Sequence, residues 1–72
     1  MAQNKHINFW LNGEEYCVNE TISILALIDY FDYRNQLLVL EHNFLICDRK
    51  SWKNVLISDS DRIEIVTIVG GG

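Results

Sequence analysis

Apolar and polar residues alternate from His6 to Leu11, with Ile7, Phe9 and Leu11 on one side and His6, Asn8 and Trp10 on the other. A period of two is that of a half-buried strand. Asn12-Gly13 follows directly. Both residue types accept the positive φ of a type I′ turn, so the chain is predicted to reverse there. Glu14 to Val18 supplies the return strand, with Tyr16 and Val18 facing inward. From Thr21 the period changes. Ile24, Leu25, Ile28 and Phe31 fall at helical spacing, and Asp29, Asp32 and Arg34 take the opposite side. Thr21 or Ser23 is placed to cap the first turn. The pattern predicts one helix of about three turns. It should end near Tyr33-Arg34-Asn35, with Asn35 as a left-handed cap.

Leu37 to Glu41 reads as a third strand, Glu41-His42-Asn43 as a turn, and Phe44-Leu45-Ile46 as a short fourth strand. Asp48 to Asn54 is polar around a single Trp52, which predicts an irregular segment pinned by one buried ring. Asp59-Ser60-Asp61 is a further turn. Arg62 to Val69 alternates again, Ile63 and Ile65 against Arg62 and Glu64. The order is β-β-α-β-β-β, and its single helix can bury an apolar stripe only on the one apolar face of a sheet. The last strand is the most apolar and should be central, parallel to the first. The expected class is α+β: a β-grasp (ubiquitin-like) fold, a mixed sheet of four to five strands with one main helix packed on one face. Residues 1–72 are expected to form a single domain, in which 70–72 are a flexible glycine tail.

Composition narrows the function. The chain has 72 residues, 49% hydrophobic and 22% charged, as a folded domain does. A domain of this size buries only about 60% of its surface, which leaves little room for a deep substrate cleft and disfavours an enzyme. A net charge of −4 with six scattered basic residues argues against nucleic acid as a partner. The longest aliphatic run, Ile24 to Ile28, is far short of the ~20 residues that span a bilayer. Residues 1–6 lack the layout of a signal peptide, so no membrane partner is expected. Nine Ile, seven Asn, two Ala and no Pro point to an AT-rich genome, and the expected location is bacterial cytoplasm or plastid stroma.

Cys17 and Cys47 lack the partners that zinc or an iron–sulfur cluster needs. They read as two reduced thiols that pack rather than react, and no metal or bound cofactor is expected. His6 and His42 belong to different elements and read as surface or strand-end residues. Trp52 reads as a core anchor.

Three of the four glycines are Gly70, Gly71 and Gly72, directly after the strand-forming Thr67-Ile68-Val69. A carboxylate that must enter another protein's ATP site needs a thin, extended tether, and glycine has no Cβ to clash with channel walls. A terminal glycine also leaves the α-carboxylate unhindered for attack on the α-phosphate of ATP. In this setting the chain resembles the ThiS family, β-grasp sulfur carriers of thiamine biosynthesis that end in Gly-Gly. The resemblance runs from Ile7 onward. It is carried by Asn12-Gly13, Leu40 to Asn43, Arg49 with Trp52 three positions later, Asp59-x-Asp61, and Ile65 to Gly72. Phe44, Asp48 and Ser60 depart from it, standing where the family often has Gly, Pro and Gly.

The resemblance implies a protein co-substrate rather than a catalyst. An E1-like adenylating enzyme, ThiF, would adenylate the Gly72 carboxylate. Persulfide sulfur from a cysteine desulfurase would displace AMP, and the resulting Gly72 thiocarboxylate (1-thioglycine) would donate sulfur to the thiazole synthase, ThiG. Two alternatives stay open: a carrier like the small subunit of molybdopterin synthase, and a non-covalent ubiquitin-like interaction module. Strand alternation also places Val66, Ile68 and Trp10 away from the helix-covered face. The three are expected to lie on adjacent strands near the tail and to dock the adenylating enzyme and the thiazole synthase.

Overall fold

The computed structural model describes residues 6–33 and 36–68. Its elements are β1 (Ile7–Leu11), β2 (Glu14–Val18), α1 (Ile24–Tyr30), β3 (Leu38–His42), β4 (Leu45–Ile46) and β5 (Arg62–Thr67), with a 3-10 turn at Arg49–Ser51. The five strands form one sheet in the order β2-β1-β5-β3-β4. β1 and β5 are parallel and the other pairs antiparallel. The last strand is central, and the fold is the expected β-grasp.

The first hairpin turns where Asn12 and Gly13 both take positive φ, 51° and 84°. Asn12 has a second role. Its side-chain Oδ1 accepts from the Ile65 N–H at 2.7 Å, standing in for β1 at the point where that strand turns away from β5.

Ser23 caps the helix: its backbone is extended and its Oγ accepts from the Ala26 N–H at 3.0 Å. The two donors before Ala26 are met by the segment around Trp52. Ile24 N–H donates to the Val55 carbonyl at 2.8 Å and Leu25 N–H to the Trp52 carbonyl at 3.0 Å. The polar stretch that looked irregular is thus a backbone cap for α1. Trp52 is buried, and its Nε1–H donates to the Cys47 carbonyl at 3.0 Å. The Arg49 guanidinium lies 4.7 Å from the Trp52 ring centre and donates to the Gln36 carbonyl at 3.0 Å.

The helix is shorter than the three turns its pattern suggests. It spans seven residues and ends at a Schellman motif. Asp32 takes φ 62° and donates to Asp29, while Tyr33 N–H reaches back to the Ile28 carbonyl at 2.9 Å. Asp32 takes the left-handed position, and the expected cap residue, Asn35, lies outside the described residues. Phe31 and Tyr33 continue the apolar stripe, but they pack against the core from beyond the helix. A second difference concerns Phe44. It is not a strand residue but the second residue of a two-residue turn, where Asn43 and Phe44 have φ 53° and 71°.

The core lies between α1 and one face of the sheet. Ile7, Phe9, Leu11, Leu40, Ile63 and Ile65 face Ile24, Leu27 and Ile28, with Trp52 and Ile57 closing one end. Both cysteines are free thiols. Cys47 packs against the core as expected, whereas Cys17 is exposed, its Sγ 3.9 Å from His6 Nδ1. Burial first, and then the charge of Asp48, pushes the Cys47 thiol above its ordinary pKa and keeps it protonated.

Candidate functional site

No described element covers the side of the sheet turned away from α1. Along β5 it carries Arg62, Glu64 and Val66, because Ile63 and Ile65 point into the core. The β3 register adds Val39 directly opposite Val66 and Glu41 opposite Glu64. One step further, Ile68 N–H donates to the Leu37 carbonyl at 2.8 Å, which extends the pairing past both strands. Ile46 lies beside Glu41 across the β3–β4 pair. Val66 is 63% exposed, Ile68 50%, Leu37 65% and Ile46 70%. These side chains form an apolar surface at the end of β5 from which the chain continues to its last residues.

Val66 and Ile68 therefore stand as expected, on the open face and near the chain end. Trp10 shares the face but not the place. It pairs with Arg62, at the other end of β5, four residues or about 13 Å of strand from Val66. Its ring is half-buried, with the Arg62 guanidinium 5.5 Å from its centre. The open surface gains instead Leu37 and Val39 beside β5, with Ile46 one strand further out on β4, which sequence reasoning missed because only the strand order brings them together. Gly70, Gly71 and Gly72 lie outside the described residues.

Beneath the face, a buried carboxylate fixes the approach to β5. Asp61 Oδ2 accepts from His42 Nε2 at 2.7 Å and from the Ser58 N–H at 2.8 Å, and Oδ1 accepts from Asn43 Nδ2 at 3.0 Å. Burial alone pushes this carboxyl up. The hydrogen bonds from Ser58, Asn43 and His42, with the charge of His42, outweigh it and hold Asp61 below the ordinary carboxylate value. Asn43 in turn accepts from the Arg62 N–H at 2.8 Å, so the β3–β4 turn and the start of β5 are tied together. His42 is thus a structural hydrogen-bond donor. His6 is exposed, as expected of a strand-end residue. Among the described residues, no group of three or more His, Cys, Asp and Glu side chains is placed to hold a metal. No helix there is long and apolar enough to cross a membrane.

Comparison with known proteins agrees with this geometry. The chain is 53% identical over 64 residues to the ycf40 protein of Trieres chinensis, covering 89% of this chain and 88% of that one. It is 31% identical over 62 residues to a thiazole synthase of Paramagnetospirillum magneticum, covering 86% of this chain but 19% of that protein. The fold superposes on the crystal structure of the thiamine biosynthesis protein ThiS of Geobacter metallireducens with a TM-score of 0.77. That match has 22% identity and covers 92% of this chain and all of the other. The family model for ThiS matches residues 3–72, from before β1 through the final glycine, and the chain belongs to the ThiS family.

Proposed function

We propose that this protein is a sulfur carrier of thiamine biosynthesis, a co-substrate whose Gly72 carboxylate is the reacting group. The observation that carries this reading is the family match through residue 72, which takes in all three terminal glycines. The geometry supports it: Ile68, the last described residue, pairs with Leu37 at the rim of an apolar face, and residues 69–72 follow in the sequence. Four residues reach at most about 14 Å, which sets how deep an enzyme's site can lie behind a partner seated on that face.

Chemically, the carboxylate attacks the α-phosphate of ATP and releases pyrophosphate, giving an acyl-adenylate. A carboxylate oxygen is a poor leaving group, and the mixed anhydride replaces it with AMP. Persulfide sulfur then displaces AMP, and cleavage of the sulfur–sulfur bond by a reducing thiol leaves the thiocarboxylate. An E1-like adenylating enzyme performs the first step, and a thiazole synthase accepts the sulfur. Support for the second partner comes from the Paramagnetospirillum thiazole synthase, in which the segment similar to this chain occupies about a fifth of the polypeptide. Of the two expected compartments, the ycf40 relative fits the plastid stroma better.

Pyrophosphate exchange tests the first step. With the adenylating enzyme and MgATP, the wild-type chain should drive exchange of labelled pyrophosphate into ATP, and a chain lacking Gly72 should not. Equal exchange by both would overturn the reading.

A further inference from the structure

The β2 edge of the sheet carries three features that neither the fold nor the carrier reading uses. The first is a groove of about 370 Å³ between β2 and α1, within the size range of sites that take a ligand. Tyr16 and Val18 line it from β2, Ala26, Leu27 and Tyr30 from α1, and Phe31 from the turn beyond. Its walls are braced. Tyr16 stacks on Phe9 with ring centres 5.8 Å apart, and Phe31 meets Tyr16 edge-on at 5.6 Å. Tyr30 meets Phe31 edge-on at 5.0 Å and is itself 81% exposed.

The second feature is a free strand edge. β2 is the outermost strand and pairs with β1 alone. Trp10 and Asn12 turn their N–H groups toward Asp61 and Ile63, so Phe9 and Leu11 supply the hydrogen bonds to β2, at Tyr16 and Glu14. Glu15 and Cys17 therefore direct their N–H and C=O groups outward, where no described backbone group meets them. The third feature is charge. Between Lys5 and Arg34 the sequence has Glu14, Glu15, Glu20, Asp29 and Asp32 but no lysine or arginine. Glu14 and Glu15 begin β2 and Glu20 follows its end, all three exposed, so carboxylates flank the free edge at both ends.

One class of occupant answers all three. An extended segment can add a strand to β2 through Glu15 and Cys17, and its successive side chains then point to opposite faces. Those on the α1 side enter the groove beside Tyr16 and Val18, which selects apolar residues. Those on the other side stand near Glu15, which shares the face of Trp10, and this selects basic residues. A second copy of the chain fits badly. Pairing β2 with β2 would bring together the glutamates of two molecules of net charge −4. A small apolar molecule would fill the groove and use neither the edge nor the charge.

We infer that the β2–α1 edge binds an extended segment of another protein in which apolar and basic residues alternate, added to the sheet as a further strand. This edge is separated from β3 by β1 and β5, so the surface around Val66 and Ile68 stays uncovered while the segment is bound. The inference goes beyond the carrier reading and holds whatever happens at Gly72.

The probe is a panel of short acetylated peptides in which lysine alternates with valine, isoleucine, leucine or phenylalanine, titrated into the isotope-labelled full chain and followed by NMR. At least one peptide should bind at sub-millimolar concentration, move the amide signals of Tyr16 to Val18 and Ala26 to Phe31, and slow exchange of the Glu15 and Cys17 N–H groups. Peptides with serine for the apolar residues, or glutamate for lysine, should not bind. Ala26 is exposed, so Ala26→Trp obstructs the groove without entering the core and should weaken binding about tenfold or more. E14Q/E15Q should weaken binding about threefold to tenfold and remove most of its salt dependence. No binding by any lysine peptide at millimolar concentration overturns the inference. So does binding that Ala26→Trp leaves unchanged, equal binding of the serine peptide, or amide shifts confined to β3 and β5.

Discussion

The two faces of the sheet are made by the same strands, yet consecutive residues on them do different work. Ile65 points into the core at 7% exposed, while its neighbour Val66 stands 63% exposed on the open side. On the inner face, apolar residues meet a helix and hold the fold together. On the outer face, residues just as apolar meet no other described element, and under the proposed function a second protein covers them. On the inner side the buried carboxylate of Asp61 is held by His42, Asn43 and the Ser58 N–H, whereas the outer face carries Glu41 and Glu64 opposite each other. One face is closed by the helix, and the proposed function assigns the other to recognition.

Adjacent substitutions break this comparison most sharply. Ile65→Asp would bury an unpaired carboxylate and remove a core side chain, a loss above about 4 kcal/mol that leaves a domain this small largely unfolded by circular dichroism. Trp52→Ala should cost about 3–5 kcal/mol in urea denaturation, because it empties a core site and loosens the segment that caps α1.

The Asp61 site comes next. Asp61→Ala leaves the Ser58 N–H, Asn43 and His42 without their acceptor and should cost about 1–3 kcal/mol. Its pH dependence follows from the lowered carboxyl pKa. A group whose folded pKa is depressed stabilises the fold above its unfolded pKa of about 3.9, and that contribution is lost as pH falls through the folded value. Wild-type stability should therefore decline as pH drops below about 4, and the decline should be shallower in Asp61→Ala.

The smallest effects on stability belong to the open side. Val66→Asp should change unfolding free energy by about 1 kcal/mol or less and yet abolish adenylation. Phe44→Gly should raise stability by about 0.5–1 kcal/mol, because it removes a bulky residue from positive φ at the exposed β3–β4 turn.

The inner face was legible in the sequence because its signal is local. Alternation marked β1 and β5, Asn12-Gly13 marked the hairpin, and the stripe from Ile24 to Ile28 marked the helix. What was not legible depends on partners distant in sequence. The end of α1 was read too far along because Phe31 and Tyr33 keep the apolar spacing, while the reversal at Asp32 is a backbone event with no periodicity. The turn at Phe44 was hidden because an aromatic at positive φ contradicts propensity. The hydrogen bonds of Asn43 to Asp61 and Arg62 impose it from outside. On the outer face, Val66 and Ile68 could be placed by alternation alone. Leu37, Val39, Ile46 and the Glu41–Glu64 pair needed the order of β5, β3 and β4. Trp10 was set too near the tail because alternation gives a face but not a height along the strand.

The most direct measurement is the intact mass of the protein after incubation with the adenylating enzyme, MgATP and a persulfide donor under reducing conditions. Wild type should gain the mass by which sulfur exceeds oxygen, once per chain, and a chain lacking Gly72 should stay as it was. A wild-type mass that never moves with these partners, or a gain mapped by fragmentation to any residue other than Gly72, would contradict the account.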